Sequence, residues 1–303
     1  VAIDGSKVKA NASRHKSMTY REMKKQEKRL RAEIDRWFAE ADRIDAYEDE
    51  LYGPDKRGDE LPEELSRHET RLRAIQEAKK RLEARQVEED RKKGRSPDDG
   101  RKSPRGGRDF KRDFGVPDDK AQDNFTDPQS RIMKDSKGYE QCYNAQIAVD
   151  KESQLIVATS LTQNAADNGE LLGLIDQVES IRGGPPRRVL ADAGYKSEAN
   201  FAALEERGIR GYVSLGRERK RPPQPPGPDR PASQRMQEKL KSRWGRKCYA
   251  RRKAIAEPVF GWMKAVLGFR QFGLRGVDKV TAEWDLLSLG VNLKRMHRLA
   301  AAS

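Results

Sequence analysis

The sequence predicts an α/β fold in which a mixed β-sheet is flanked by helices and interrupted by an inserted α-helical hairpin. Short β-rich runs stand at the start of the chain and again from about residue 143, where they alternate with helical segments. Between them, two long stretches have the apolar spacing of amphipathic helices. An antiparallel hairpin followed by alternating strands and helices is typical of a mixed sheet with helices on its faces.

Composition indicates a polyanionic partner. The 303 residues include 63 Lys and Arg against 49 Asp and Glu, for a net charge of +14. Such an excess favours nucleic acid as the partner. Only 35% of the residues are apolar and 37% are charged, so part of the chain must be solvated helix or linker. No apolar run approaches the ~20 residues of a spanning helix, and we expect no membrane association.

Cysteine and histidine usage argues against zinc or a histidine-based metal site. Cys142 and Cys248 are too few and too far apart for zinc, and they fit a reducing compartment. His15, His68 and His297 are scattered along the chain. Any bound metal must therefore be held by oxygen ligands.

Composition and periodicity together predict four segments. Residues 1–17 are the first strand of the core, 18–90 an inserted helical hairpin, 91–122 a disordered basic linker, and 123–303 the remainder of the core with C-terminal helices. Because the chain starts on a strand with Val1, we expect a truncated frame or a domain cut from something longer.

Within the last segment, turn residues and caps predict the elements in order. These are a β-hairpin over 143–162 that turns at 151–154, a helix capped by Asp167-Asn168, a strand ending at Asp192, a helix over 198–206 capped by Ser197, a strand over 209–215, a basic proline-rich loop over 217–231, and helices over 254–267 and 280–299.

Three acids in this pattern can form a metal site. Asp4 and Asp192 are each predicted to stand at the end of a strand, before a glycine turn, and they can lie side by side if their strands are neighbours. Glu257 is a third acid, and it lies on the same face of a predicted helix as Lys253 and Lys264. Carboxylates at this spacing suit a pair of hard cations that act on a phosphodiester. Taken singly, a turn aspartate and a salt-bridged glutamate are the commoner interpretations.

Four blocks of the sequence resemble bacterial insertion-sequence DDE transposases, in the same order. Asp4-Gly5-Ser6-Lys7 resembles their first-aspartate block, and Leu190-Ala191-Asp192-Ala193-Gly194-Tyr195 their second. Between these two, Asp127-Pro128-Gln129-Ser130-Arg131 with Tyr143-Asn144-Ala145-Gln146 is similar to the intervening block. The C-terminal Tyr-Arg-Glu-Lys signature is matched by Tyr249, Arg252, Glu257 and Lys264.

The resemblance implies a ribonuclease-H-like fold and a magnesium-dependent phosphoryl transfer. In that reaction water nicks the element end, and the freed 3′ hydroxyl then attacks target DNA. The metal ligands would be Asp4, Asp192 and Glu257, holding two Mg²⁺ ions for which Mn²⁺ can substitute. Contacts to transposon-end DNA would come from Tyr249, Arg252, Lys253 and Lys264. The expected partners are transposon ends, target DNA and a second copy of the chain, in the cytoplasm at the bacterial nucleoid.

Departures from the family pattern leave alternatives open. Four residues separate Arg252 from Glu257 where the family has three, and Lys253 stands at the three-residue spacing. We expect the family's N-terminal DNA-binding region to be missing ahead of Asp4, so a catalytically inactive, truncated remnant that only binds DNA is the alternative. A coiled-coil interaction protein organised by residues 18–87 is a third hypothesis. Asp127 is a reserve for Asp4, although a turn before Pro128 explains it as well.

Overall fold

The structure is a computed structural model that describes residues 1–52, 63–102, 109–134, 138–216 and 225–301, without the side chains of 41, 42, 44–52 and 63–65. It divides into two compact units. The core unit comprises Val1–Ala12 and Gln129–Ser303, and the helical unit comprises Ser13–Pro128.

The described residues form eight strands and seven α-helices. The strands are β1 (Ala2–Lys9), β2 (Ser17–Thr19), β3 (Gln122–Asn124), β4 (Arg131–Lys134), β5 (Tyr139–Val149), β6 (Ile156–Thr162), β7 (Arg188–Ala191) and β8 (Arg210–Val213). The helices are α1 (Tyr20–Tyr52), α2 (Glu63–Lys92), α3 (Leu171–Arg182), α4 (Glu198–Glu206), α5 (Pro231–Lys241), α6 (Arg243–Ala265) and α7 (Val277–Ala301). None of the helices in these ranges combines the length and the apolar character that a bilayer crossing needs.

One mixed sheet forms the centre of the core unit. Its strands run in the order β6, β5, β1, β7, β8, and β4 also pairs with β5. The β1, β5 and β6 strands are antiparallel neighbours, whereas β1, β7 and β8 are parallel. The predicted mixed sheet is therefore confirmed, and with helices on its faces it is a ribonuclease-H-like α/β fold.

The two faces of the sheet are covered by different helices, because side chains alternate along each strand. Ala2, Val8 and Ile147 belong to a cluster that includes residues of α6 and α7, such as Phe260 and Trp284. On the opposite face, Ile3, Ala148, Val189 and Val213 pack with residues of α3, α4 and α5. Even-numbered residues of β1 consequently point to the α6 side, and this alternation decides which partners Asp4 has.

Asp4 does not stand at a strand end as the sequence predicted. It is the third residue of β1, which continues extended through Gly5 to Lys9. The reason is that β5 pairs with the whole of β1, from Ala2 opposite Val149 to Lys9 opposite Cys142. Pairing on the other side of β1, with β7, is recorded only at Ala2 and Leu190.

Helix boundaries differ from prediction where tertiary contacts decide them. Helix α3 starts at Leu171, not after Asp167-Asn168, and its N-cap residue Glu170 makes no side-chain cap bond. Helix α5 lies in a stretch for which no helix was predicted, and α6 begins at Arg243 where 254 was expected. In contrast, α4 spans the predicted residues, and Ser197 accepts a hydrogen bond from Asn200 N at 3.0 Å. Part of the predicted loop over 217–231 lies outside the described residues.

The helical unit contains the predicted pair of long helices, α1 and α2. Its core includes Met23 and Leu30 of α1 with Ile75 and Leu82 of α2. Trp37 of α1 does not belong to this core and is 39% exposed. The predicted division of the chain into four segments remains a prediction.

The described part of the segment after α2 contains turns and buried ion pairs. The sequence predicts disorder over 91–122; among the described residues of this stretch, Arg91 and Lys92 end α2, Gln122 begins β3, and several turns lie between them. Arg95 is buried there, with hydrogen bonds to Asp90 at 3.4 Å and to Asp99 at 2.8 Å. These ion pairs replace the apolar core that the segment lacks.

Candidate active site

Asp4 and Asp192 come together where β1 and β7 part. The two strands are parallel neighbours at Ala2 and Leu190, and each aspartate lies two residues further along the chain from this pair. Asp192 directly follows β7 and accepts a hydrogen bond from Gly194 N at 2.7 Å. Asp4 accepts from Gly5 N at 3.0 Å. The sequence expectation that these two acids are neighbours is in keeping with this register.

Arg252 of α6 connects the acids. Its Nη1 lies 3.2 Å from Asp4 Oδ2, and its Nη2 lies 4.0 Å from Glu257 Oε1. The guanidinium is buried, and its Nε has no hydrogen-bond partner among the described residues. A buried cation with an unsatisfied donor is costly unless neighbouring charges compensate. Arg252 is therefore an internal counter-ion of the acid cluster in this structure.

The protonation of Asp4 reflects its crowded surroundings. The pKa of Asp4 is raised to about 6, chiefly by burial; Arg252 acts in the opposite direction, and the carboxylates of Asp192 and Glu257 add to the rise. Like charges at close range disfavour the ionised form of each. Asp4 thus interacts electrostatically with both other proposed metal ligands, and a perturbed carboxylate of this kind is typical of functional sites.

Glu257 stands on α6 immediately before a proline inside the helix. Pro258 has no N–H to donate to the carbonyl of Ala254, four residues earlier. Gln154, in the turn between β5 and β6, donates to that carbonyl through Nε2 at 3.2 Å. Glu257 itself is exposed, with 55% of its side chain accessible. The least buried of the three acids is thus carried on a helix that the β-hairpin helps to hold.

The residues predicted to contact DNA are all on α6, but they differ in their surroundings. Lys264 Nζ donates to Ser6 Oγ at 2.5 Å, two residues along β1 from Asp4. Lys253 and Tyr249 are half-buried, and Tyr249 packs against the cluster beside α6 and α7. Arg252 faces Asp4. Their contact with DNA stays a prediction.

A second polar network lies on the opposite face of the sheet and was missed by the sequence reasoning. Asp167 Oδ1 accepts hydrogen bonds from Lys7 Nζ at 2.8 Å, Asn144 Nδ2 at 2.7 Å and Gln146 Nε2 at 2.8 Å. Gln146 in turn accepts from the buried Tyr195 hydroxyl. The sequence signal was present: Asn144 and Gln146 put two polar side chains on one face of a buried strand.

Gly194 joins this network to Asp192. A Cβ at Gly194 would lie 2.6 Å from Asp167 Oδ2 and 2.9 Å from Asp192 Oδ1. Only glycine leaves room for both carboxylates on either side of this turn. Asp167 therefore flanks the turn that carries Asp192.

Asp127 belongs to the helical unit. Its backbone N–H donates to Asn124 Oδ1 at 3.0 Å, as expected of a turn before Pro128. A role for Asp127 in place of Asp4 stays a prediction.

A ribonuclease-H-like sheet with two acids beside the point where two parallel strands part is an arrangement suited to chemistry on nucleic-acid phosphodiesters. A family model described as "Transposase DDE domain" matches residues 110–293, more than half of the chain. The chain belongs to this family, so it is a DDE transposase of the insertion-sequence type, a DNA-binding protein of transposition and recombination. Comparisons with curated proteins and with solved structures found no match.

The matched span has two consequences for the candidate site. It includes Asp192 and Glu257, and it starts after Asp4. It also leaves out the whole α1–α2 pair, so family membership gives no support to an interaction protein organised by that pair.

Proposed function

We propose that the chain hydrolyses a phosphodiester at the end of an insertion sequence and then joins that end to target DNA, in a metal-dependent reaction. The observation that carries the proposal is the meeting of Asp4 and Asp192 where β1 and β7 part, with Glu257 linked to Asp4 through Arg252. The family generally uses divalent metal ions, and oxygen-only donors fit Mg²⁺, with Mn²⁺ as a substitute.

The donor chemistry fits such ions, although the described side chains are not gathered into a finished site. No group of three His, Cys, Asp or Glu residues in the described ranges is close enough to hold one ion. Arg252 contributes the positive charge beside Asp4 and Glu257. We therefore expect divalent cations to bind Asp4, Asp192 and Glu257 in competition with Arg252, which pairs with Asp4 and Glu257. Once bound, two ions would stabilise the charge that develops on the phosphodiester.

The chain's own residues would bind and orient the DNA. In the first step water attacks the phosphorus, the bond to the 3′ oxygen breaks, and the leaving 3′ oxygen takes up a proton. In the second step this 3′ hydroxyl attacks a target phosphodiester and displaces its 3′ oxygen. Lys264, Lys253, Tyr249 and Arg252 would contact backbone phosphates of the transposon end, since they lie on the helix that carries Glu257. Two copies of the chain would act on one DNA complex at the nucleoid.

Nicking of a supercoiled plasmid by the purified chain tests the proposal. We expect nicking with Mg²⁺ or Mn²⁺, none with EDTA, and a loss of at least about 10³-fold in Asp192→Ala. Asp176→Asn, which removes a surface carboxylate paired with Arg207, is the matched control and should retain activity. Circular dichroism should show that Asp192→Ala remains folded. Metal-dependent nicking that survives in Asp4→Ala, Asp192→Ala and Glu257→Ala would refute the assigned ligands.

A non-catalytic DNA-binding protein is the second candidate, and the Arg252 ion pairs favour it. If Arg252 permanently neutralises the acids, the chain binds DNA with strong salt dependence but cuts none. This candidate would be supported if the wild type nicks no DNA and if Asp192→Ala binds DNA as well as the wild type does.

A further inference from the structure

A cavity of about 170 Å³ opens between α6, α7 and the turn that joins β5 to β6. Its apolar lining is formed by Pro258, Val259 and Trp262 of α6 and by Val291 of α7. An apolar cavity of ~150 Å³ is large enough to hold a benzene ring. This cavity can therefore accept a single aromatic ring of a ligand.

The cavity is separate from the proposed metal site. Trp262 follows Glu257 by five residues, which at about 100° per residue places the two side chains about 140° apart around α6. Glu257 is not among the residues that line the cavity. A ligand bound here would thus lie on a different side of α6 from the acid.

The rim of the cavity is positively charged. Lys294, Arg295 and Arg298 of α7 line it, and among the described residues no Asp or Glu does so. Arg295 Nε donates to the Ser153 carbonyl at 2.8 Å, and Lys294 Nζ lies 4.8 Å from the centroid of the Trp262 ring. Three cations without an acid between them favour an anion with more than one negative charge, such as a phosphate monoester.

Gln154 adds a hydrogen-bonding group to the cavity. Its φ of 57° lies in the left-handed region, which glycine adopts at lower cost. Its Nε2 donates to the Ala254 carbonyl at 3.2 Å, whereas its Oε1 accepts no hydrogen bond from any residue that the structure describes. Oε1 can therefore accept an N–H from the edge of a ring. A pyrimidine base such as thymine has this N–H, but the ring of a phosphotyrosine does not.

We propose that this cavity is a binding site for a pyrimidine nucleotide. The base enters the apolar part and donates its N–H to Gln154 Oε1, while the phosphate binds Lys294, Arg295 and Arg298 at the rim. A free nucleotide and an unpaired nucleotide of a DNA strand present this same chemistry. The site concerns binding alone, and it does not depend on the proposed catalysis.

Calorimetric titration of the full-length chain with thymidine 5′-monophosphate tests the proposal without metal, so its outcome is separate from that of the nicking assay. We expect a dissociation constant of about 0.1 to 1 mM, as for a small ligand. Lys294→Gln/Arg298→Gln should weaken binding at least about 10-fold, because two charge-assisted contacts are lost.

The matched control is Arg210→Gln/Lys279→Gln, which removes the same charge from two exposed residues that do not line the cavity. This variant should bind the nucleotide as the wild type does. A wild type that binds no nucleotide at about 10 mM, or equal affinities in the wild type and Lys294→Gln/Arg298→Gln, would overturn the proposal.

Two further ligands test the contribution of the base. Inorganic phosphate should bind at least about 10-fold more weakly than the nucleotide, since it leaves the apolar lining empty. Gln154→Ala should lower the affinity for the nucleotide and leave that for phosphate unchanged. Equal affinities of the wild type for phosphate and nucleotide, or an equal loss of both in Gln154→Ala, would overturn the assignment of a base to the cavity.

Competition distinguishes the two sources of the nucleotide. If single-stranded hexathymidylate displaces thymidine 5′-monophosphate from the wild type, an unpaired DNA strand is a source of the ligand. If it does not, while the mononucleotide binds as expected, the ligand is the free nucleotide.

Discussion

Arg252 has a different role from that of a surface cation awaiting DNA. It is buried beside Asp4, and burial lowers the pKa of Arg252 while Asp4 and then Tyr249 raise it, so that it lies above its ordinary value. Its charge offsets part of the repulsion among the acids, which would otherwise destabilise the folded chain in the absence of metal. Removing Arg252 would thus affect the acids directly, whatever its contact with DNA.

Asp4 should make the stability of the metal-free chain depend on pH. Burial raises the pKa of Asp4 from 3.8 to about 6, so between these values the folded chain retains a proton that the unfolded chain has lost. The folded state loses stability as pH rises through this window, by roughly 3 kcal/mol in total. The Asp4→Asn variant has no proton to lose at this position. The difference in free energy of unfolding, wild type minus variant, should therefore fall by this amount between pH 4 and pH 7. Urea denaturation with EDTA measures it.

Asp150 is the matched control because its pKa moves in the other direction. Burial raises the pKa of Asp150, but hydrogen bonds from Ser153 and Glu152 outweigh it and lower the pKa below its ordinary value. Asp150 therefore stabilises the fold above its unfolded pKa and stops doing so as pH falls. The free energy of unfolding of the wild type minus that of Asp150→Asn should therefore grow as pH rises. Parallel pH profiles for the two variants would contradict the assignment of Asp4.

At the scale of elements, the position of Asp192 in the turn after β7 is set by local hydrogen bonds and by contacts with more distant strands. Local hydrogen bonds form the turn, since Asp192 accepts from Gly194 N and Ser197 caps α4. Behind it, Asp167 is fixed by donors from β1 and β5. The position of the Asp192 carboxylate thus depends on three strands and not on the turn alone.

Gly194→Ala should displace one of the two carboxylates that flank it. The added Cβ would lie 2.6 Å from Asp167 Oδ2 and 2.9 Å from Asp192 Oδ1, so something must shift. We expect the affinity for Mn²⁺ to fall about 10- to 100-fold, as for the loss of groups that orient metal ligands. Calorimetric titration measures this affinity. The control is Gly184→Ala, where a Cβ meets nothing within 4 Å. Equal affinities in the two variants would show that the turn does not position the site.

At the scale of the whole molecule, net charge governs the encounter with DNA. The chain carries +14, and its Lys and Arg residues are spread over both units. Binding of such a protein to duplex DNA releases counterions, and its affinity falls steeply with salt.

Duplex binding should weaken by about 10³-fold between about 50 and 200 mM salt, as for six or more phosphate contacts. Lys264→Gln should lower the slope of log affinity against log salt by about one, if Lys264 contacts a phosphate. Arg207→Gln removes the same charge at a residue already paired with Asp176 and Glu179, and should leave the slope unchanged. Fluorescence anisotropy measures all three chains. A slope that is the same for Lys264→Gln and the wild type would exclude this contact.

Short stretches of the sequence predicted much of the core unit because their structure depends on near neighbours. The β-hairpin of β5 and β6 was located by its turn residues, and α4 by the Ser197 cap. The α1–α2 pair was found from its apolar spacing. Asp4, Asp192 and Glu257 were singled out by their position after apolar runs, by their helical spacing and by family resemblance.

Tertiary structure alone decided the surroundings of these residues. Pairing with β5 keeps β1 extended past Asp4, where the sequence indicated a turn. Asp167 had been expected to cap a helix, but it accepts hydrogen bonds from three side chains of β1 and β5. Packing of α6 on the sheet buries Arg252 against Asp4. Each of these contacts joins residues more than 20 positions apart, so local propensity, turn chemistry and periodicity contain no information about them.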